Sequence, residues 1–316
     1  MSGAGDGAYH IPVLAGEVTH LLLDTPEGGE VMDGTVGGGG HARMLLEADA
    51  GVRVLAVDRD PEALAQAREA LAPWSERVRF LEARFDEAAR GAGLAGPSLR
   101  GALLDLGVSS RQLDADRRGF SYRSGEAPLD MRMEGEGRGG ETAADILNEW
   151  DESALAGLFR RYGEEPRARR LAGEIVKRRA TEPFRTAREL LDAMTVVHRR
   201  MPTATEKSRV FQALRIQVNR EMEALEEALP LLRDALVPGG VIVVIAYHSL
   251  EDRLVKQTFR EWSRSCTCPP GLPICVCRGE ALGELLTNRV VRPADAEVEA
   301  NPRARSARLR AWRKAA

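Results

Sequence analysis

Cysteine is scarce in this chain of 316 residues and confined to one place: Cys266, Cys268, Cys275 and Cys277. Cysteines clustered this tightly cannot staple distant parts of a fold, so a disulfide scaffold is excluded. Long apolar runs are missing too, and no stretch approaches the roughly 20 residues needed to span a bilayer. The opening residues, Met1 to Gly7, are small and polar, without the basic and apolar regions of a secretory signal. The expectation is a soluble, cytoplasmic protein with no membrane partner. An excess of positive charge is also absent. The formal net charge is −3, so a nucleic-acid partner is not signalled by the chain as a whole and would have to be met by local basic patches. Internal repeats and extended low-complexity segments are lacking.

What is there suits a large α/β domain, or one carrying an insertion. Hydrophobic residues make up 43% of the chain and charged residues 29%, enough for a sizeable core under a well-solvated surface. Short apolar runs alternate with amphipathic stretches. Strands are expected at Glu30–Asp33, Val52–Asp58, Val78–Ala83, Leu99–Leu106 and Val241–Tyr247. The last is a nearly continuous apolar run, as in strands buried on both faces of a parallel sheet. Pro61 to Leu71 reads as a helix, with proline in its first turn and Leu64, Ala67 and Leu71 on one face.

The interval from Leu106 to Val241 far exceeds a βαβ crossover. Much of it is helical in pattern: Ala143–Leu147, Ser153–Arg161, Ala168–Arg179 and Ala187–Met194. Residues 111–207 are therefore expected to form an inserted helical domain. The main domain would then be discontinuous, 1–110 and 208–316, with a helix from Val210 to Leu232 rejoining the sheet.

A glycine-rich turn, Asp33-Gly34-Thr35-Val36-Gly37-Gly38-Gly39-Gly40-His41, follows the first strand and precedes a helical stretch, Ala42–Glu47. Glycines let the backbone approach a ligand and adopt positive φ without steric cost. The next strand ends at Asp58, placed to accept hydrogen bonds from ribose hydroxyls. This combination points to a nucleoside-containing cofactor and leaves two candidates. A nicotinamide dinucleotide would want G-x-G-x-x-G with its pyrophosphate on the helix N-terminus. S-adenosylmethionine carries no phosphate and wants an acid near its ammonium or ribose; Asp33 favours it.

Further motifs are spread along the chain: His10-Ile11-Pro12-Val13-Leu14, Asp105-Leu106-Gly107-Val108-Ser109-Ser110-Arg111-Gln112-Leu113, Arg118-Gly119-Phe120-Ser121-Tyr122, Pro128-Leu129-Asp130-Met131-Arg132-Met133, Phe211–Asn219, His248-Ser249-Leu250-Glu251-Asp252-Arg253 and Asn301-Pro302-Arg303-Ala304-Arg305-Ser306. This ordered set closely resembles the RsmH (MraW) family, from about residue 9 to 313. The resemblance implies a class I, Rossmann-like S-adenosylmethionine-dependent methyltransferase sheet with an inserted helical domain that helps to hold RNA. It implies methylation of the exocyclic N4 of a cytosine in small-subunit (16S) ribosomal RNA. The partner would be that RNA or the 30S subunit, and the oligomeric state stays open, a dimer included. The family's cofactor contacts carry over to Gly39, Gly40, His41, Asp58, Phe85, Asp105 and Gln112; Phe85 would pack on adenine. The chain departs from the usual pattern at Val36, where an aromatic is common, at Arg111, where proline is usual, and at Tyr247, where phenylalanine is usual.

Methyl transfer from a sulfonium is an in-line displacement in which alignment of donor and acceptor supplies much of the rate. The Asn/Asp-Pro-Pro-aromatic motif of many amino-methyltransferases is replaced here by Asp105-Leu-Gly-Val. Asp105 and His248, each following a central strand, are the candidates to line the acceptor pocket. Ser249 and Asp252 read equally well as a variant capping box for a helix Leu250–Trp262. His198 reads as structural. Two basic stretches are candidates for phosphate contact: Arg160–Arg179, with eight basic residues against three glutamates, and the tail Asn301–Ala316, whose alternation of arginine with Ala307, Leu309 and Ala311 fits a strand at a sheet edge. Four thiolates within Cys266–Cys277 could hold zinc, although C-x-C spacing is not the commoner C-x-x-C; the alternative is a proline-stiffened surface loop.

Overall fold

The computed structural model describes residues 12–27, 29–91, 96–135, 137–138, 140–266, 268 and 279–316. The chain divides into two compact units. One contains the described residues up to Gly107 together with Ala224–Ala316, the other Val108–Glu223.

The first unit is built on a seven-stranded sheet: β1 (Glu30–Asp33), β2 (Arg53–Asp58), β3 (Val78–Glu82), β4 (Leu99–Asp105), β5 (Leu236–Ala246), β6 (Gly283–Leu285) and β7 (Arg308–Lys314). The order across the sheet is β3-β2-β1-β4-β5-β7-β6. Strands β1 to β5 pair in parallel, while β7 runs antiparallel to both β5 and β6. Alternate residues feed two cores on opposite faces, as a strand's two-residue period requires. Val31, Val54, Ala56, Leu103, Val241, Val243 and Ile245 face one core; Met32, Leu55, Val57, Leu104, Ile242 and Val244 face the other.

Helices α1 (Ala15–Leu23), α2 (Gly40–Ala48) and α3 (Pro61–Ala70) supply Val18, Leu22, Leu45, Leu46 and Leu64 to the first core. Helices α4 (Phe85–Arg90), α11 (Glu221–Ala235) and α12 (Ser249–Trp262) supply Ala88, Leu225, Leu229, Val255 and Phe259 to the second. A short helix, α13 (Asp295–Ala300), precedes β7.

Two expectations for this unit need correction. The basic tail is a strand but not an edge strand: β7 lies between β5 and β6. Burial explains its place. Leu309, Ala311 and Trp312 are completely buried, and the Trp312 indole lies 5.0 Å from Trp262 and 6.3 Å from Phe259. Nor is there one helix from Val210 to Leu232. Arg220 adopts a left-handed conformation, φ 50°, and separates α10 (Ala204–Asn219) from α11.

The second unit contains α5 (Ser110–Asp114), α6 (Ala143–Glu149), α7 (Glu152–Arg161), α8 (Ala168–Arg179), α9 (Ala187–His198) and α10. Thr142, Thr186 and Thr203 start α6, α9 and α10 with capping boxes closed by Asp145, Glu189 and Glu206. Helix α10 packs on α6 and α7, which carries this unit to Glu223, past the boundary at 207 expected from periodicity. Buried Asn219 ties a loop to the end of α10. Its Oδ1 accepts the Met133 N–H at 2.9 Å, and its Nδ2 donates to the Met131 carbonyl at 2.8 Å. Met131 itself has φ 63°, a strained backbone that this clamp holds in place.

Candidate active site

The direction of the strand order reverses between β1 and β4, and the carboxyl ends of the strands flanking such a reversal form the ligand crevice of open α/β sheets. Three acids stand there: Asp33 at the end of β1, Asp58 at the end of β2 and Asp105 at the end of β4. The glycine-rich turn leaves β1 by bonding to both neighbouring strands. Gly34 N–H donates to the Leu103 carbonyl and Val36 N–H to the Val57 carbonyl, each at 2.9 Å. A Cβ on Gly34 would come within 2.6 Å of the Leu104 side chain. Gly39 caps α2 with φ 86°, and a Cβ there would press on Leu71 at 3.2 Å. Gly37, by contrast, faces open space, with no atom closer than 3.9 Å to its Cβ position. Gly40 opens α2 against Pro12.

Asp58 is bound on both oxygens. Oδ2 accepts Gly37 N–H and Oδ1 accepts Asp60 N–H, each at 2.9 Å. Each oxygen keeps a second lone pair for a hydroxyl donor. Burial nevertheless pushes the Asp58 carboxyl up to about 6. Asp33 is only 1% exposed, and burial pushes it up to about 7 against the lowering influence of His41 and of its bond from Thr35 N–H. The crevice therefore carries buried acids whose charged forms are costly without a cation nearby.

Asp105 is held from two directions. Its backbone N–H donates to Thr35 Oγ1 at 2.7 Å, and its Oδ1 accepts the Tyr247 hydroxyl at 2.9 Å. His41 lies on α2 with Nε2 at 2.9 Å from the Val13 carbonyl. A carbonyl can only accept, so Nε2 carries the proton and Nδ1 faces Asp105 Oδ2 at 3.9 Å. Phe85, the first residue of α4, is half-buried against the second core and adjoins Gly34.

The sequence picked out Gly39, Gly40, His41, Asp58, Phe85 and Asp105, and the structure places all six in the first unit, on the turn after β1 or directly after β2, β3 and β4. Gln112 lies in the second unit, where its Oε1 accepts Ser109 N–H at 2.9 Å and closes the capping box of α5.

His248 follows β5 and is nearly buried. The structure makes it, and not Ser249, the N-cap of α12: Nδ1 accepts the Glu251 N–H at 3.3 Å, and Glu251 Oε2 in return accepts the N–H groups of Tyr247 and His248 at 3.0 and 3.2 Å. Sequence reasoning gave no role to three groups at this end of the sheet: Thr35, Tyr247 and Glu251. Glu251, three residues after His248, carried the signal of a capping box with histidine in the capping place, and Tyr247 that of a departure from the family pattern.

Of the basic tail, several cations are used inside the fold. Arg310 bonds Asp252 at 2.6 Å, Arg313 bonds Asp24 at 2.7 Å, and Lys314 donates to the Leu236 carbonyl at 2.7 Å. Arg303 and Arg305 are exposed. In the second unit, Arg167, Arg169 and Arg170 line an open basin with Glu152, Pro166 and Gly173. His198 is not isolated, since the Arg167 guanidinium approaches its Nδ1 at 2.6 Å and Glu206 at 3.2 Å. Cys266 is exposed and Cys268 half-buried; Cys275 and Cys277, like His10 and Ile11, lie outside the described residues.

The family model of the MraW methylases matches residues 7–315. The chain belongs to the MraW methylase family. It is 50% identical over 312 residues to the ribosomal RNA small subunit methyltransferase H of Gemmatimonas aurantiaca, covering 98% of this chain and 96% of that protein. It is 49% identical over 311 residues to the protein of the same name from Syntrophotalea carbinolica, covering 96% and 98%. As an MraW methylase the chain is a methyltransferase. Among the described residues, no helix of this MraW methylase is long and apolar enough to cross a membrane.

Proposed function

We infer that the chain methylates the exocyclic N4 of a cytosine in small-subunit (16S) ribosomal RNA, with S-adenosylmethionine as donor. The observation that carries this reading is the meeting of Asp33, Asp58 and Asp105 with an open glycine turn at the β1–β4 reversal, in a chain of the MraW methylase family.

The donor fits the residues present. It is cationic, and the crevice holds acids that burial has pushed toward neutrality. Its ribose hydroxyls are donors, and Asp58 retains acceptor capacity. When bound, adenosylmethionine supplies an electrophilic methyl group on sulfur. In this reading Asp58 takes the ribose, Gly39, Gly40 and His41 border the amino-acid end, and Phe85 packs on the base; Gln112 is the remaining donor contact that the family resemblance implies. Asp105 and His248 line the acceptor pocket. The cytosine N4 lone pair is delocalised into its ring. A carboxylate oxygen accepting the N4–H would favour the pyramidal nitrogen and take the proton as the new bond forms. His248, holding its ring as a helix cap, contributes position more than proton transfer.

The second unit serves in this reading as the RNA-holding domain, replacing the 111–207 insertion with Val108–Glu223. Arg167, Arg169 and Arg170 are its basic surface, and Arg303 and Arg305 are the exposed cations of the tail that would meet phosphates. In this reading the enzyme acts in the cytoplasm, on the 30S subunit or its RNA.

The test is transfer of labelled methyl from adenosylmethionine to small-subunit RNA and to 30S particles, followed by mass mapping of nucleosides. N4-methylcytidine at a single position is the expected product. Methyl on another base, or transfer to neither substrate, overturns the assignment.

A further inference from the structure

We propose that Tyr247 is a positioning residue: its hydroxyl, by donating to Asp105 Oδ1, holds the Asp105 carboxylate in the orientation and charge state that the methyl-transfer site uses. The inference rests on the functional reading above and names a residue that reading leaves without a role.

The argument begins with the sheet. Asp105 pairs with Ile245 across β4 and β5, so Tyr247, two residues further along, leaves β5 just beyond the carboxylate. The hydroxyl reaches Oδ1 at 2.9 Å. The tyrosine is itself fixed, because its backbone N–H donates to buried Glu251 at 3.0 Å and its ring packs on the first core. The donor is therefore held before any ligand arrives. On the other side Thr35 Oγ1 accepts the Asp105 N–H, so main chain and side chain of one residue are gripped by two loops. Grip of this kind fixes a side-chain rotamer to within a fraction of an ångström, which is what a site aligned for displacement needs.

Among the described residues, the charges around the pair include Asp33 and His41 facing Asp105, and Glu251 and Glu297 acting on Tyr247. Burial, then the charge of Asp105, push the Tyr247 phenol far above its ordinary range. The phenol thus remains a donor at neutral pH and well above it. A donor that cannot ionise favours the charged form of the carboxylate it bonds. Asp33 opposes that form, since two carboxylates share one crevice, and the tyrosine offsets this repulsion at Asp105.

Phenylalanine preserves the ring and is the residue usual at this place in the family pattern, so Y247F keeps the packing and removes only the bond. Carbon-13 NMR of the Asp105 carboxyl, in the full-length protein without ligand, is expected to show titration at higher pH in Y247F than in the wild type. The acidic limb of the kcat/KM profile for RNA moves in the same direction, and kcat/KM at neutral pH falls roughly tenfold, one charge-assisted hydrogen bond's worth. In an Asp105→Asn background, Y247F costs little more, because the group it serves is gone. An unmoved carboxyl titration, or losses that multiply in the double variant, overturns the proposal. If the titration moves but the wild type transfers no methyl to small-subunit RNA, the pairing is upheld and it is the functional reading that fails.

Discussion

The N–H of Gly37 donates to Asp58 Oδ2 at 2.9 Å, joining the middle of the glycine turn to the acid that ends the next strand. The bond sets both partners: the turn presents its open backbone beside a carboxylate that keeps acceptor capacity on each oxygen. Asp58→Ala removes the acceptor for Gly37 and for a ribose together. Its affinity for adenosylmethionine is expected to fall ten- to a hundredfold, in line with about 1.5–3 kcal/mol for hydrogen bonds to a charged group. Isothermal calorimetry checks this.

Acid dependence follows from burial. Asp33 and Asp58 have folded values of about 7 and about 6, above the ordinary carboxylate value, so folding favours their neutral forms. Their contribution to stability is fully present below about pH 4 and is lost as the pH rises through about 6 and 7. Asp33→Asn should flatten this decline in the ligand-free protein and leave it more stable than wild type at pH 8, by on the order of 2 kcal/mol. The same substitution should weaken binding of the cationic donor at pH 8. Thermal unfolding from pH 5 to 8, with and without adenosylmethionine, reads both effects.

Gly39 cannot accept a side chain without strain. At φ 86°, with Leu71 only 3.2 Å from the Cβ position, Gly39→Ala should cost about 1–2 kcal/mol for the left-handed backbone alone. It should also tilt the start of α2, where His41 sits. Lowered denaturation midpoint and weakened donor binding are expected together; wild-type values for both would show that the turn is not under this constraint.

His248 and Asn219 separate capping from clamping. His248→Ala loses the α12 N-cap and should cost about 1 kcal/mol. Asn219→Leu leaves the Met133 N–H and the Met131 carbonyl without partners inside the second unit and should cost about 2–4 kcal/mol. Urea unfolding ranks the two; equal losses would contradict the assignment of the larger role to Asn219.

Phosphate contact is expected from exposed cations and not from those buried in the sheet. Charge reversal at Arg169 and Arg170, or at Arg303 and Arg305, should weaken RNA binding and flatten its salt dependence. Reversal at Arg310 should instead destabilise the fold, through loss of the Asp252 pair. RNA titrations at several salt concentrations, beside thermal melts, distinguish the classes.

The sequence by itself determined the local elements and the chemistry at their ends. Apolar runs at Val54–Val57, Leu103–Leu104 and Val241–Ile245 suited strands buried on both faces, and the glycines after Asp33 suited a turn, because these are short-range consequences of burial and backbone sterics. Its place at the end of the second strand singled out Asp58, and the family resemblance added a cofactor role for Asp105. Which elements meet was decided by the tertiary structure. Helical periodicity runs on through Arg220, yet the chain breaks there because α10 and α11 pack against different cores. Alternating arginine and alanine read as an edge strand until Trp312 found Phe259 and Trp262, which draws β7 between two neighbours. Tyr247 read as a mild substitution until register set its hydroxyl on Asp105. Periodicity is a property of one segment and can be read along a line; pairing is a property of two segments, set by which surfaces lose water together.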